Sequence, residues 1–577
     1  VSPHLELRLS GPPGSGKTET LRRTVEATAA KYGAERVLVS SFTKAAAREI
    51  ASRVALPADR VGTLHAHCFR ALGRPTIAEG RIDEWNDRVG GSKRLALSGA
   101  RPDVDDPYGD GERLDPADFG GDELLAEANL LRARLVPVER WEPSVRAWYE
   151  QWQGWLHDSG YVDFTGLLEQ ALALVDFAPG NPAVLFGDEL QDNSPLEFAL
   201  LRKWAARCEA GVYLAGDAAQ AIYAWRGASP QLFFTPPLPE ENYLHLRQSY
   251  RLPRTVLEVA ERWLRRSSDA HLYANRHFDP RREDPKDPRS PLVEGAVHRR
   301  ESLGLGREVG SWKNPEDLLG PLVERAEQRD EPLAIMASCD YLLTPTIVWL
   351  RNQGIPFHNP ARASNGRWNP MRGGTERLRD FLAGPRPDLL RDDVAPVDAR
   401  LWTWQEFRRW SELLPAQGFL ARGARTQVEA RVRDDEKAHR ADVLRVEELR
   451  GLLAPGVFEQ LGPALASERP WQWLQVRVAP KKRAAVDFAL NIVHRRGPRA
   501  LRREPNVVVG SIHSFKGWGF PHVAVFPDLS PSGYAEWDGR PAQKDAVRRV
   551  FYVAMSRASQ TLTLAGAASQ RAVDWDD

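Results

Sequence analysis

An eight-residue turn near the start of the chain constrains its fold most: Gly11-Pro12-Pro13-Gly14-Ser15-Gly16-Lys17-Thr18. It fits the phosphate-binding pattern G-x-x-x-x-G-K-[ST]. Glycines let backbone N–H groups approach phosphate oxygens. Lys17 reaches the β/γ-phosphates, and the Thr18 hydroxyl suits Mg²⁺. The bound anion also sits at a helix N-terminus, where the dipole favours it. Alternation of Leu5, Leu7 and Leu9 with polar residues predicts a strand before the turn, and a helix is predicted from Lys17 to about Ala30. A second strand over 36–42 follows, and then a helix over KAAAREIASRV that Thr43 is placed to cap. This order predicts an α/β fold with a doubly wound parallel sheet.

Further apolar strands are expected at 183–189, 211–217 and 242–246, then at 333–338, 506–512, 522–526 and 561–565. The 577 residues are too many for one hydrophobic core. Residues 74–141 read as an insertion, early on rich in Gly, Asp and Pro and then helical around Leu124–Leu135. The region from about Gly366 to Arg496 also reads as helical, and its Trp402, Trp404, Trp410, Trp471 and Trp473 suit core packing. Residues 279–291 form a charged, proline-rich loop.

Composition excludes little. Hydrophobic content is 42%, charged content 27%, and net charge +1, so any nucleic-acid groove must be locally positive. No apolar run is long enough to span a bilayer, so no membrane partner is expected. Cys68, Cys208 and Cys339 are widely separated, which suits a reducing, cytoplasmic setting.

The strand 183–187 delivers two carboxylates, Asp188 and Glu189, at its C-terminal end, where open α/β sheets bind ligands. Asp188 suits the Mg²⁺ shell with Thr18, and Glu189 suits orientation of an attacking water.

From this point the residues resemble the UvrD/Rep family of superfamily 1 helicases. DELQD (188–192) is similar to that family's DExQD box, and GDAAQAIYAWRGA (216–228) to its third motif. SFTKAAAREI (41–50) and GTLHAHCFRAL (62–72) resemble motifs Ia and Ib, and YVDFTGLL (161–168) the segment ahead of the DExQD box. LRQSYR (246–251), SIHSFKGWGF (511–520) and VFYVAMSRA (550–558) resemble motifs IV, V and VI, and GIPF (354–357) a recurring strand of the second motor domain. The motifs fall in the family's order and span nearly the whole chain.

The resemblance implies two RecA-like P-loop motor domains, each with a mainly helical insertion. The expected first motor comprises 1–73 and 165–250, with an insertion at 74–164. The expected second comprises 251–365 and 501–577, with an insertion at 366–500 that is a candidate surface for a protein partner. ATP and Mg²⁺ are the implied cofactors. Single-stranded and partly duplex DNA is the implied partner, with 3′-to-5′ polarity and work in repair, replication or recombination near the nucleoid. The implied catalytic residues are Lys17, Asp188, Glu189, the γ-phosphate sensor Gln220, and the arginine fingers Arg251 and Arg557. The nucleotide would touch Gly11 to Thr18, Glu19, the stacking Tyr250, and Gly519. Phe42, Thr63, His65, Tyr223, Trp225, Arg226, His513 and Ser514 match positions along the DNA track. Aromatic faces stack on any base, and phosphate contacts carry no sequence readout.

The nucleoside end departs from the family pattern. Glu19 stands where Arg is common, and Trp518-Gly519 replaces Leu-Glu in motif V. No Gln precedes Gly11, although the family usually carries an adenine-reading glutamine there. The expectation is relaxed base selectivity with adenine held mostly by stacking. The 366–500 insertion also lacks the Gly-Ile-Gly element that related enzymes use on duplex DNA.

Overall fold

The computed structural model describes residues 5–42, 51, 54–95, 120–273, 278–299, 310–361, 374–382, 402–466, 470–501 and 503–576. Thr43 and most of the helix expected after it lie outside these residues.

Two six-stranded sheets organise the chain. The first contains β1 (Glu6–Ser10), β2 (Val37–Ser41), β3 (Val61–Thr63), β4 (Val184–Asp188), β5 (Gly211–Gly216) and β6 (Tyr243–His245). Their order is β3-β2-β4-β5-β1-β6, and every pairing is parallel. The second contains β7 (Ala296–Arg299), β8 (Leu333–Ala337), β9 (Phe357–His358), β10 (Val507–Ser511), β11 (Phe520–Val525) and β12 (Ala558–Leu564). It runs β7-β12-β11-β8-β10-β9, again all parallel. The expected α/β class is therefore met twice. β2, β4, β8 and β10 are buried along their whole length. Such strands, covered on both faces, read as unbroken apolar runs.

Parallel pairing puts all C-terminal strand ends on one edge of a sheet. In the first sheet Ser41 of β2 pairs with Asp188 of β4, and Ser10 of β1 with Gly216 of β5. The phosphate loop, the acidic pair and the third-motif segment thus leave the sheet side by side.

Between β3 and β4 lie the helices Ile82–Arg88, Gly120–Ala133, Pro143–Ser159 and Phe164–Leu174. The first three close over a core of their own, built on Trp85, Trp141, Trp148, Tyr149, Trp152 and Trp155. A buried polar knot ties this unit to the sheet. The Asp163 carboxylate caps the helix Phe164–Leu174 by accepting from Gly166 N at 2.6 Å. It also accepts both terminal nitrogens of Arg132, at 2.7 and 2.9 Å, and Trp152 Nε1 at 2.8 Å. Arg132 Nε donates to Glu169 at 3.0 Å.

Helices also fill the stretch between β9 and β10, among them Trp404–Ser411, Ala424–Lys437 and Arg483–Arg496. Trp402, Trp404 and Trp410 are buried there, with Trp471 and Trp473 packed against them. These residues belong to the same apolar cluster as Ile335, Phe357 and Val509 of the second sheet. Among the described residues no helix is long and apolar enough to cross a membrane.

Glu79 sits beside the polar knot, accepting the N–H of Phe164 at 3.0 Å. Burial, reinforced by the Asp163 charge, pushes its carboxyl up to about 8. The folded state therefore keeps a proton that the unfolded chain releases above its ordinary carboxylate range, near 4.5. Stability from this group is complete at low pH and is lost as pH rises toward 8. Melting followed by tryptophan fluorescence should show a drop between pH 5 and pH 8.5 that is smaller in Glu79→Gln than in the wild type.

Candidate active site

The phosphate loop is held open by its glycines. Gly14 and Gly16 have φ of 73° and 81°, a left-handed geometry that costs other residues about 1 kcal/mol. A Cβ at Gly14 would also collide with the Arg251 side chain. Lys17 is buried, and its ammonium donates to Gly11 O at 2.9 Å and Pro12 O at 3.2 Å. The lysine thus closes the loop on itself, aimed where a phosphate would lie. The Ser15 hydroxyl is buried and, among the described residues, has no hydrogen-bond partner.

Thr18 follows in the first turn of the helix Lys17–Tyr32, and its hydroxyl donates to Asp188 Oδ2 at 3.4 Å. Asp188 is buried at the end of β4. Burial, with the neighbouring Glu189 charge, pushes its carboxyl up to about 7. A hydroxyl and a carboxylate on one side of an anion cradle suit Mg²⁺, which takes few protein oxygens and keeps waters. Glu189 adopts a left-handed φ of 57°. Such strain in a non-glycine residue collects at functional sites.

Gln191 locks this corner. Its Oε1 accepts Asp217 N at 2.9 Å, and its Nε2 donates to Glu189. The loops after β4 and β5 are therefore one hydrogen-bonded unit. Within it, Gln220 Nε2 donates to Asp217 Oδ2 at 2.7 Å.

The second sheet's segments complete the cleft. Arg557 is fully buried, and its Nη2 donates to Gln220 Oε1 at 2.9 Å. Its Nε donates to Val553 O at 2.9 Å and Nη1 to Trp518 O at 3.2 Å, which fixes its direction. Arg251 Nη2 donates to Gly517 O at 3.1 Å. Burial pulls Arg557 down to about 9, helped by the nearby Arg251 charge, and Arg251 itself to about 10. The fully buried Arg557 guanidinium, with half-buried Arg251 near it, marks a place that an anion would stabilise.

Motif IV touches the phosphate loop directly. Tyr250 N donates to Gly14 O at 2.8 Å and Ser249 Oγ to Pro13 O at 2.9 Å. The Tyr250 ring is 52% exposed beside Gly16, open on one face for stacking. Glu19 is occupied with Arg22 and Arg23, at 2.7 and 2.8 Å, and these arginines hold its carboxyl down at about 2. Gly519 makes room for the Arg251 side chain: a Cβ there would lie 2.8 Å from Arg251 Nε.

The aromatic residues gather beside the cleft. Phe42 and Tyr223 have centroids 5.2 Å apart, Tyr223 and Trp225 6.3 Å, and Tyr223 and His513 5.9 Å. Arg226 lies over Phe42 at 4.8 Å and over Tyr223 at 5.3 Å. Trp225 is 51% exposed, with Arg226 over its ring at 5.8 Å. Thr63, His65 and Ser514 are buried. The Thr63 hydroxyl accepts from Ala66 N at 3.2 Å, and Ser514 Oγ donates to Ser511 O at 2.7 Å. Burial and the Arg226 charge hold the His65 imidazole neutral, down to about 3.

Comparison with known proteins agrees with this geometry. A family model described as an AAA domain matches residues 2–226. The ATP-dependent DNA helicase PcrA of Staphylococcus aureus (strain Mu50) is 26% identical over 290 residues, covering 44% of this chain and 37% of that protein. The PcrA helicase of Bacillus subtilis (strain 168) is 26% identical over 290 residues, covering 46% and 38%. That of Leuconostoc citreum is 27% identical over 268 residues, covering 43% and 35%. Over this part of its length the chain is similar to PcrA helicases. It spans little more than a third of the length of the curated relatives it matches.

Some residues of this cleft carry no assigned role in the sequence reading. Lys516 pairs with Asp192 and lies 3.8 Å from Glu189, with its ammonium 5.2 Å from the Tyr223 ring centre. Burial pushes the Asp192 carboxyl up to about 7 against the pull of Lys516. Gln191, Asp192 and Lys516 all stand inside quoted motifs, and that position was their available signal. Ser249 and Asp217 join them as residues that hold others in place.

The geometry generates a paired test. Removing a donor aimed at developing charge costs roughly 10²–10³ in rate. Arg557→Ala should lower ATP hydrolysis by about that factor. Gly519→Ala, which displaces Arg251 without deleting it, should lower it by about 10-fold, with the melting temperature unchanged. Steady-state phosphate release checks both.

Proposed function

We propose that this chain is an ATP-driven 3′-to-5′ motor on single-stranded DNA that also unwinds duplex. The bond from Arg557 to Gln220 carries the reading. It joins a residue of the second sheet's motif VI to the segment that continues as Tyr223, Trp225 and Arg226. Events at a bound phosphate and at the aromatic cluster thereby share one stretch of chain.

In this reading residues 1–73 and 165–250 form the first motor, and 251–365 and 501–577 the second. Lys17 exchanges its loop carbonyls for the β/γ-phosphates. Thr18 and Asp188 hold Mg²⁺, which when bound offsets phosphate charge. Glu189 orients the attacking water, while Arg251 and Arg557 stabilise the charge that builds on the transferred group. Fingers carried by the second motor make hydrolysis depend on cleft closure, and alternating closure is the stroke. Bases stack on Trp225 and the rings behind it, worth about 1–3 kcal/mol each. The setting is cytoplasmic, on DNA under repair, replication or recombination.

A strand-displacement assay tests this. Duplexes with a 3′ tail should be unwound with ATP, those with a 5′ tail should not, and Trp225→Ala should weaken oligonucleotide binding about 10-fold. DNA-stimulated hydrolysis without displacement would mark a translocase that clears proteins or works inside a larger complex. Activity unchanged in Lys17→Ala would overturn the motor reading altogether.

The nucleoside side carries a separate expectation. Tyr250 offers a ring face, Glu19 is engaged by arginines, and Gly519 has no side chain. Stacking without a hydrogen-bonding reader discriminates weakly among bases. GTP and CTP should support DNA-stimulated hydrolysis within about 10-fold of ATP in kcat/KM, and a strong preference for ATP would refute this.

A further inference from the structure

The helix Pro541–Met555, which leads into Arg557, carries a second buried arginine whose bonds the cleft chemistry does not use. Arg549 Nε donates to Ala221 O at 3.2 Å. Its Nη1 donates to Asp269 Oδ2 at 2.7 Å and to Tyr273 OH at 3.3 Å. Asp269 and Tyr273 are themselves buried, so the guanidinium is fixed from behind. Ala221 lies directly after Gln220 and two residues before Tyr223. Two arginines from one stretch of the second sheet's chain therefore grip adjacent residues of the first. Arg557 takes the side chain of Gln220, and Arg549 takes the main chain of Ala221.

Ala218–Gln220 and Ala224–Arg226 are single 3₁₀ turns, and Ile222 and Tyr223 between them share one apolar cluster with Phe551 and Met555 of the helix. Side-chain attachment at Gln220 alone could swivel without displacing the backbone. A bond to the Ala221 carbonyl cannot: when the helix shifts, the carbonyl goes with it, and so does Tyr223.

We propose that Arg549 is a positioning residue that couples the nucleotide cleft to the aromatic cluster by carrying the Ala221 main chain with the helix Pro541–Met555. The inference rests on the motor reading above. It needs a planar fork: Nε and Nη1 serve different partners at once. A lysine ammonium is a point donor that keeps the carboxylate of Asp269 and releases Ala221.

Coupling is a free energy between two sites and shows as a ratio of affinities. Fluorescence anisotropy with labelled oligo(dT) gives the dissociation constant with and without a non-hydrolysable ATP analogue plus Mg²⁺. In the wild type the two constants should differ at least 3-fold. In Arg549→Lys the ratio should collapse to within 1.5-fold of unity, with the nucleotide-free constant within 2-fold of wild type. A merely structural role would weaken both states alike and leave the ratio intact, and that result overturns the proposal. If Arg549→Lys does not fold, the double variant Asp269→Ala/Tyr273→Phe is measured, since it keeps Arg549 whole but removes both groups that hold it from behind. A wild-type ratio in that variant overturns the proposal equally. A wild type that binds oligo(dT) with a ratio of one refutes the coupling alone, whereas one that neither binds DNA nor hydrolyses ATP refutes the motor reading.

Discussion

A guanidinium buried away from water must find partners, and one of the partners of Arg557 lies on the other sheet. An unpaired charge in this position costs several kcal/mol. Val553 O and Trp518 O meet part of that cost on the arginine's own side, and Gln220 adds a bond across the cleft that ties the two ligand edges together. Gln220 is in turn held by Asp217, and Asp217 N by Gln191. Each polar group in the row has a reason to be where the next one needs it. The row ends at Glu189, whose left-handed backbone carries the carboxylate that accepts from Gln191 and lies 3.8 Å from Lys516.

Much of the fold was legible because a parallel sheet writes itself plainly. Strands such as Val184–Asp188 and Leu333–Ala337 are unbroken apolar runs, and chemistry-bearing residues follow them at their C-terminal ends. The phosphate loop was legible for a different reason: its glycines and lysine are set by backbone geometry and reach, which are local. The aromatic cluster was legible only through motif resemblance, because Phe42, Tyr223 and His513 come from three distant stretches.

What escaped the sequence was partnership. Lys516 and Asp192 are separated by 324 positions, and Arg549 and Ala221 by 328. No periodicity links such residues, since it is the packing of the two sheets that brings them together. Gly519 is the reverse case. In the sequence it reads as a glycine standing where motif V usually carries Glu, whereas in the structure it leaves the space beside the Arg251 side chain. Thr63 and Ser514 likewise spend their hydroxyls on neighbouring backbone.

The two helical insertions differ in how they are rooted. The first closes over its own tryptophans and meets the sheet through the Arg132–Asp163 knot. The second shares one continuous apolar cluster with the strands beneath it. A part that borrows its interior from its neighbour cannot be trimmed away without leaving that neighbour half-covered. It behaves as a lever welded to its fulcrum, because the apolar interior is common to both.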